Sequence, residues 1–353
     1  MNYTFEHWHG IKRTEQFNTL WEIGMLLAQG EALQTVPMSE YHASQPQANF
    51  KSVRDRAKSV FFGGRAVRDP DVLKFLQSQT FDIYKININA NMSKQLEETT
   101  LKWMKESPNI NVNGLKDFQF LSMPGLNTVL KEFIMKNKNK RIRVMRGEYW
   151  YVITLLKESP VEWKYMDEDD IQANDCVIAS VPFFSTMDIP DLSFLDVCDK
   201  LDVPVLIDLC WSALHDNVTL DVNRKCIKIV TLSLCKNWPV ETLRLGVRWC
   251  KEGWYYPSDK LYNQYRLNSE LIIRLMVNFK ANYIIKKYKS LQHKWNNRLG
   301  LQPTPLILTS RITPELQWFN QHRNLGVDWS QYNMMMAGLY ENEDLINKYF
   351  NWN

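Results

Sequence analysis

Ser233, Lys236 and Arg244 lie in TLSLCKNWPVETLRLG (231–246), directly after an apolar run, and Asp208 closes a similar run upstream. Each of these side chains has an ordinary use and a chemical one. A lysine at a strand end is either a surface residue whose stem lies along apolar neighbours or a desolvated amine able to form a Schiff base with a carbonyl. Arg244 offers a rigid fork of donors that suits a dianionic phosphate. Asp208, ending VPVLID (203–208), is either a cap or turn residue or the partner of a buried cationic ring nitrogen. SMPGLNTVLKEF (122–133) is a polar, glycine-containing turn running into an apolar helix. The free N–H groups of such a start either serve an ordinary cap or seat a phosphate.

These residues need a scaffold that places strand ends side by side. Apolar runs recur at RIRVM (141–145), DCVIAS (175–180), VPVLIDL (203–209), CIKIVTLSL (226–234) and LRLGVRW (243–249), with helix-compatible stretches between several of them. Residues 191–201 are the best of these, with Leu192, Leu195, Cys198 and Leu201 on one stripe. Strands alternating with amphipathic helices imply crossover connections, so the expected fold is α/β, a mostly parallel central sheet covered by helices. In such sheets ligands bind at the carboxyl ends of the strands. Helices are also expected over 17–27, over 71–77 with Asp69 and Pro70 as cap and first-turn residue, and over 93–105. Residues 37–50 read as loop. From about 259 to 299 the pattern turns to long helices, with Leu271, Leu275, Phe279 and Tyr283 at a four-residue spacing. A mixed segment, LILTSRI, then precedes helices expected at 314–322 and 341–350 and a turn at 324–326. The expected division is an N-terminal segment (1–60), a large α/β domain (61–258) and a smaller C-terminal α+β domain (259–353) that packs with the N-terminal segment.

Taken in order, the glycine turn, the strand-end aspartate, Ser233-Leu-Cys-Lys236 and Arg244-Leu-Gly246 resemble the fold type I pyridoxal-phosphate enzymes, specifically the class I/II aminotransferases. The resemblance spans residues 60–350 and is specific around 204–249. It implies pyridoxal 5'-phosphate as cofactor, with Lys236 forming the Schiff base and acting as acid and base. Asp208 would pair with the pyridinium nitrogen, and Ser122, Gly125, Ser233 and Arg244 would hold the phosphate. Tyr149, in GEYWY (147–151), stands where the family stacks an aromatic residue on the ring, with a core aromatic as its ordinary alternative. Trp211 replaces the tyrosine that follows the family's aspartate; its indole donates a hydrogen bond but transfers no proton. Two further departures stand out. The family's Asn-Pro-x-Gly reads Ser180-Val181-Pro182-Phe183 here, leaving Ser180 or Ser185 as substitutes for an amide. The run Met334-Met335-Met336-Ala337-Gly338-Leu339 has no arginine for a substrate carboxylate. The substrate then lacks that carboxylate, or Arg311 or Arg323 binds it, or the chain has lost transaminase activity. The resemblance implies an aminotransferase acting on a small amino substrate, as a homodimer. A catalytically degenerate binding module, or another reaction such as decarboxylation or elimination, is the alternative. The Ser-x-x-Lys spacing also occurs in penicillin-recognising enzymes, but their SDN and KTG segments are missing.

The totals agree with a folded chain and point to no other partner. With 353 residues it is long enough for a large domain and a smaller one, and its formal net charge is only +4. The one basic run, KNKNKRIRVMR (136–146), reads as a solvated helix end entering a strand, so no nucleic acid is expected. No signal-peptide pattern stands at the N-terminus, and no apolar run approaches the roughly 18 residues of a membrane span, so a cytoplasmic protein without membrane contact is expected. The six cysteines form no CxxC pair and read as reduced core thiols, and HWH (7–9) lacks a metal pattern.

Overall fold

DCVIAS (Asp175–Ser180) and VLID (Val205–Asp208) are buried at every position and form the centre of the main sheet. A strand covered on both faces needs apolar residues on both sides of the pleat, and these have them between the polar residues at their ends, Asp175, Ser180 and Asp208. The computed structural model describes residues 15–34, 65–123, 125–254, 266–311 and 333–352. Its elements begin with α1 (Glu15–Gln34), α2 (Pro70–Gln77), α3 (Ile83–Ile88), α4 (Met92–Lys105), β1 (Ile110–Asn113), β2 (Gln119–Met123) and α5 (Leu126–Lys136). Next come β3 (Arg141–Val144), α6 (Trp150–Glu158), β4 (Trp163–Tyr165), β5 (Asp175–Ser180), α7 (Phe194–Leu201), β6 (Val205–Asp208), β7 (Val218–Asp221), β8 (Ile227–Ser233) and β9 (Gly246–Cys250). The chain ends with α8 (Arg266–Asn278), α9 (Tyr283–Leu299), β10 (Gln302–Pro303), β11 (Thr309–Arg311), β12 (Asn333–Met335), α10 (Ala337–Glu341) and α11 (Glu343–Phe350).

Seven strands form the main sheet in the order β2-β9-β8-β6-β5-β3-β4. All run parallel except β9, which is antiparallel to both of its neighbours. The alternation along β5 shows how the faces are filled. Val177 and Ala179 join a cluster with Leu96 and Trp103 of α4, Leu195 of α7 and Leu271 and Leu275 of α8. Cys176 and Ile178 face Val129 and Phe133 of α5 and Val152 and Leu156 of α6. Helices therefore cover both faces, as expected for a mostly parallel sheet. A third cluster joins α1, α9, β12 and α10, and it includes Cys210 and Trp211 from the segment after β6. Strands β10, β11 and β12 form a separate antiparallel sheet, and β1 pairs with β7. Among the described residues no helix is long and apolar enough to cross a membrane.

Asp69 caps α2 as its sequence suggests, its Oδ1 accepting from the N–H groups of Asp71 and Val72 at 3.1 Å. The same carboxylate also takes the Tyr288 hydroxyl at 2.8 Å and the Lys287 ammonium at 2.6 Å, which ties α2 to α9. Several expected elements differ from those found. Within 266–299 the expected long helices are α8 and α9, separated where the Phe279 carbonyl is taken by the Trp103 indole at 2.8 Å instead of a further helical turn. The strand expected at 243–249 starts only at Gly246, since Arg244 has φ 52° and its left-handed backbone cannot lie in a strand. The expected last helix is α11, which begins at Glu343 after the separate short helix α10. Residues 37–50, 255–265, 314–322 and 324–326, with HWH (7–9) and Arg323, lie outside the described residues. The basic run is the end of α5 leading into β3, as expected, and its arginines are paired: Arg143 is fully buried against Asp175, Arg141 pairs with the same carboxylate, and Arg146 pairs with Asp167. All six cysteines are buried.

Candidate functional site

Parallel strands finish along one edge, and there the register sets Ser180 of β5 beside Asp208 of β6, and Asp208 beside Thr231 of β8. A β-bulge after Val205 restores the pairing so that Thr231 falls on the face of Asp208. Asp208 is 5% exposed, and its Oδ1 accepts from Thr231 Oγ1 and Cys210 N at 3.0 Å each. Among the described residues it has no ion-pair partner. Burial pushes this carboxyl up to about 7. The negative charge of Glu148 adds to the rise, whereas the Thr231 hydroxyl, the Cys210 N–H and the Lys236 charge oppose it.

Lys236 follows β8 on a tight turn, in which Asn237 N and Trp238 N both donate to Leu234 O. The turn is fixed on either side of the lysine. Cys235 Sγ donates to Leu245 O at 3.4 Å, and the buried Trp238 ring tilts against Trp103. Lys236 itself is partly buried, with Nζ 5.3 Å from the centroid of the Trp211 ring. Such an ammonium over an indole face gains a cation–π attraction. Ser233, the last residue of β8, is buried beside the thiols of Cys210 and Cys235.

Gly125 precedes α5 with φ 88° and ψ 158°, a conformation open essentially to glycine alone. A Cβ there would lie 3.3 Å from Arg244 Cβ and 3.5 Å from its Cδ, so the Arg244 side chain passes directly over the start of α5. As the N-cap, Gly125 has no side chain with which to cap this helix start. Gly246 brings the arginine to that place: it pairs with Met123 of β2, and a Cβ on it would meet Met123 Cε at 2.5 Å. Arg244, Gly125 and Ser233 thus gather at one corner of the sheet edge. Ser122 does not share their face. It lies within β2 opposite Val247, and alternation turns its side chain away from the face of Asp208 and Thr231.

Tyr149 stands at the start of α6, its ring 5.2 Å from Phe184. Burial pushes its phenol above the usual range, Cys210 and Asp208 add to this, and Arg244 acts in the other direction, so its hydroxyl lies among the other site groups. The neighbouring Glu148 was not singled out by its sequence. Fully buried, it accepts from Ser180 Oγ at 2.5 Å, Ser180 N at 3.0 Å and Tyr149 N at 2.7 Å, and burial raises its carboxyl as well. A glutamate between a glycine and the candidate stacking aromatic was the available signal. Ser180 is therefore held by Glu148, and the buried Ser185 lies near it on the following loop. Met334, Met335 and Met336 are buried in the third apolar cluster, and Arg311 of β11 pairs with Asp188 at 2.7 Å.

No protein-family profile matches this chain, and no curated protein does. Solved structures match its fold. The substrate-bound BacF of Bacillus subtilis superimposes with a TM-score of 0.58 at 10% identity, over 91% of this chain and 97% of that one. A probable N-succinyldiaminopimelate aminotransferase from Thermus thermophilus gives 0.55 at 10% identity, over 81% and 91%. The aminotransferase AspB from Helicobacter pylori gives 0.54 at 16% identity, again over 81% and 91%. At such identities the likeness is one of fold, and this chain has the aminotransferase-like architecture.

Proposed function

We propose that this chain binds pyridoxal 5'-phosphate at the strand-end edge and, through Lys236, transfers an amino group between an amino compound and a keto acid or aldehyde. The observation that carries the proposal is a buried carboxylate, Asp208, with no cation bonded to it among the described residues, set one strand away from a partly buried lysine. The residues fit the cofactor at three points. A cationic ring nitrogen is the partner that the desolvated Asp208 carboxyl lacks. The start of α5, with Gly125 as its N-cap leaving room for the Arg244 fork, suits a phosphate. Lys236 projects from a turn whose neighbours on both sides are anchored.

When bound, the cofactor supplies an aldehyde carbon that captures amines and a ring that withdraws electrons from the carbon next to the captured nitrogen. The protein's own groups do the rest. Asp208 would hold a proton at the ring nitrogen. Lys236 Nζ would accept and donate the proton that amino transfer moves. Arg244, Ser233 and the α5 N–H groups would hold the phosphate. Tyr149 would shield the site from water. The resemblance further implies a homodimer.

A second reading, a chain that holds the cofactor without transamination, has specific support: Ser180 is taken up by Glu148, Arg311 by Asp188, and Met334–Met336 by the core. The first test is spectroscopic. Protein mixed with pyridoxal 5'-phosphate is expected to absorb near the visible edge, and Lys236→Ala to lose that band; a wild type without the band overturns the cofactor reading. Amine donors offered with pyruvate or 2-oxoglutarate then separate the two readings, since loss of the band without new amino acid excludes transamination.

A further inference from the structure

Glu148 is a fully buried carboxyl that no step above uses. Its place follows from the ladder. β3 ends at Val144, opposite Ile178 of β5, so the strand-side N–H of Ser180 extends past its last possible partner. On the other side Val181 N is already bonded to Asp208 O at 2.8 Å. Glu148 Oε2 takes the stranded Ser180 N–H at 3.0 Å, and Oε1 takes both the Ser180 hydroxyl and the N–H of Tyr149. One side chain thereby joins the end of β5 to the first residue of the turn into α6. A buried polar bridge of this kind is costly unless every lone pair is used, and three donors reach this one.

We propose that Glu148 is a positioning residue, which sets the Tyr149 ring at the Asp208 carboxyl by pinning the 147–149 turn to the end of β5. The geometry supports it: Ser180 is the register partner of Asp208, so whatever is tied to Ser180 is held at a fixed offset from the carboxyl. Tyr149 also has its carbonyl engaged by Val152 N at 2.8 Å, leaving the side-chain torsions as its remaining freedom, and these meet Phe184. The negative charge of Glu148 also adds to the rise of the Asp208 carboxyl. This role rests on the cofactor reading for its purpose, but the clamp exists without the cofactor.

The test therefore has two parts. Ligand-free crystal structures of wild type and Glu148→Leu are compared first, with folding checked by circular dichroism. The Tyr149 ring is expected to leave its place beside Phe184 while the sheet superimposes; a ring that stays overturns the clamp whatever the cofactor does. Second, wild type, Glu148→Leu and Glu148→Gln are titrated with pyridoxal 5'-phosphate. Glu148→Leu is expected to bind about tenfold more weakly, with altered circular dichroism of the bound band, and Glu148→Gln, which keeps one acceptor, to recover part of both. Equal affinity and an unchanged signal in all three remove the positioning role. A wild type that binds nothing removes the cofactor reading instead, and the ring position still decides the clamp.

Discussion

Asp208 makes the local chemistry measurable through pH. In the unfolded chain its carboxyl titrates near 3.8, and in the folded protein near 7. Between those values the folded state keeps a proton that the unfolded state has lost, so the free energy of unfolding falls as pH rises through the window. Asp208→Asn retains the oxygen that accepts from Thr231 and Cys210. It is expected to stabilise the ligand-free protein at pH 8 by about 1–4 kcal/mol, with the gain fading toward pH 4. Urea denaturation at both pH values reads this directly, and equal differences at the two would refute a raised Asp208. The same variant is expected to weaken pyridoxal 5'-phosphate binding, a separation of stability from function that a merely structural carboxylate would not show. The places of Asp208, Lys236 and Arg244 beside strand ends were legible in the sequence, because each lies against a short apolar run. Glu148 was not, because its Ser180 partner is 32 residues away and only folding brings a strand end within its reach.

At the scale of elements, the turn into α5 and the cap of α2 carry separate predictions. Gly125→Ala places a side chain in a glycine-only region of backbone space and against Arg244, at a cost of about 1–3 kcal/mol. The expected readout is a lowered thermal midpoint together with weakened binding of inorganic phosphate or cofactor. Asp69→Ala removes a helix cap and strips an acceptor from Tyr288 and Lys287, so a loss of about 2–4 kcal/mol is expected without a change in cofactor affinity at saturating conditions. The α2 cap was readable from Asp69-Pro70, since caps depend on adjacent residues. Strand β2 was not, because QFLSM is short and abuts the glycine turn; it became a strand through pairing with β9, 123 residues on at the Met123–Gly246 pair. The break between α8 and α9 was equally hidden, since it depends on an indole 176 residues away.

For the molecule as a whole, a cofactor that binds only the folded state must raise its stability. At a free concentration a hundredfold above Kd the gain is about 2.7 kcal/mol, which for a chain of this length is a rise of roughly 4 °C in the thermal midpoint. A midpoint that does not move with pyridoxal 5'-phosphate concentration would contradict the proposed function, and Lys236→Ala is expected to flatten the response. The α/β architecture itself was readable from the recurring apolar runs, whereas the packing of Trp211 against α9, β12 and α10 was not, because it joins segments distant in the chain. The reversed strand β9 has a consequence for spacing. Lys236 and Arg244 are eight residues apart, and a parallel strand could not follow β8 so soon, since a crossover needs a dozen or more residues. It would also begin at the opposite edge of the sheet, five residues of strand away from the corner where Arg244 meets Gly125. Reversing one strand lets the chain deliver Arg244 to that corner by a short return, so the tight interval between amine and guanidinium is the linear trace of an antiparallel turn.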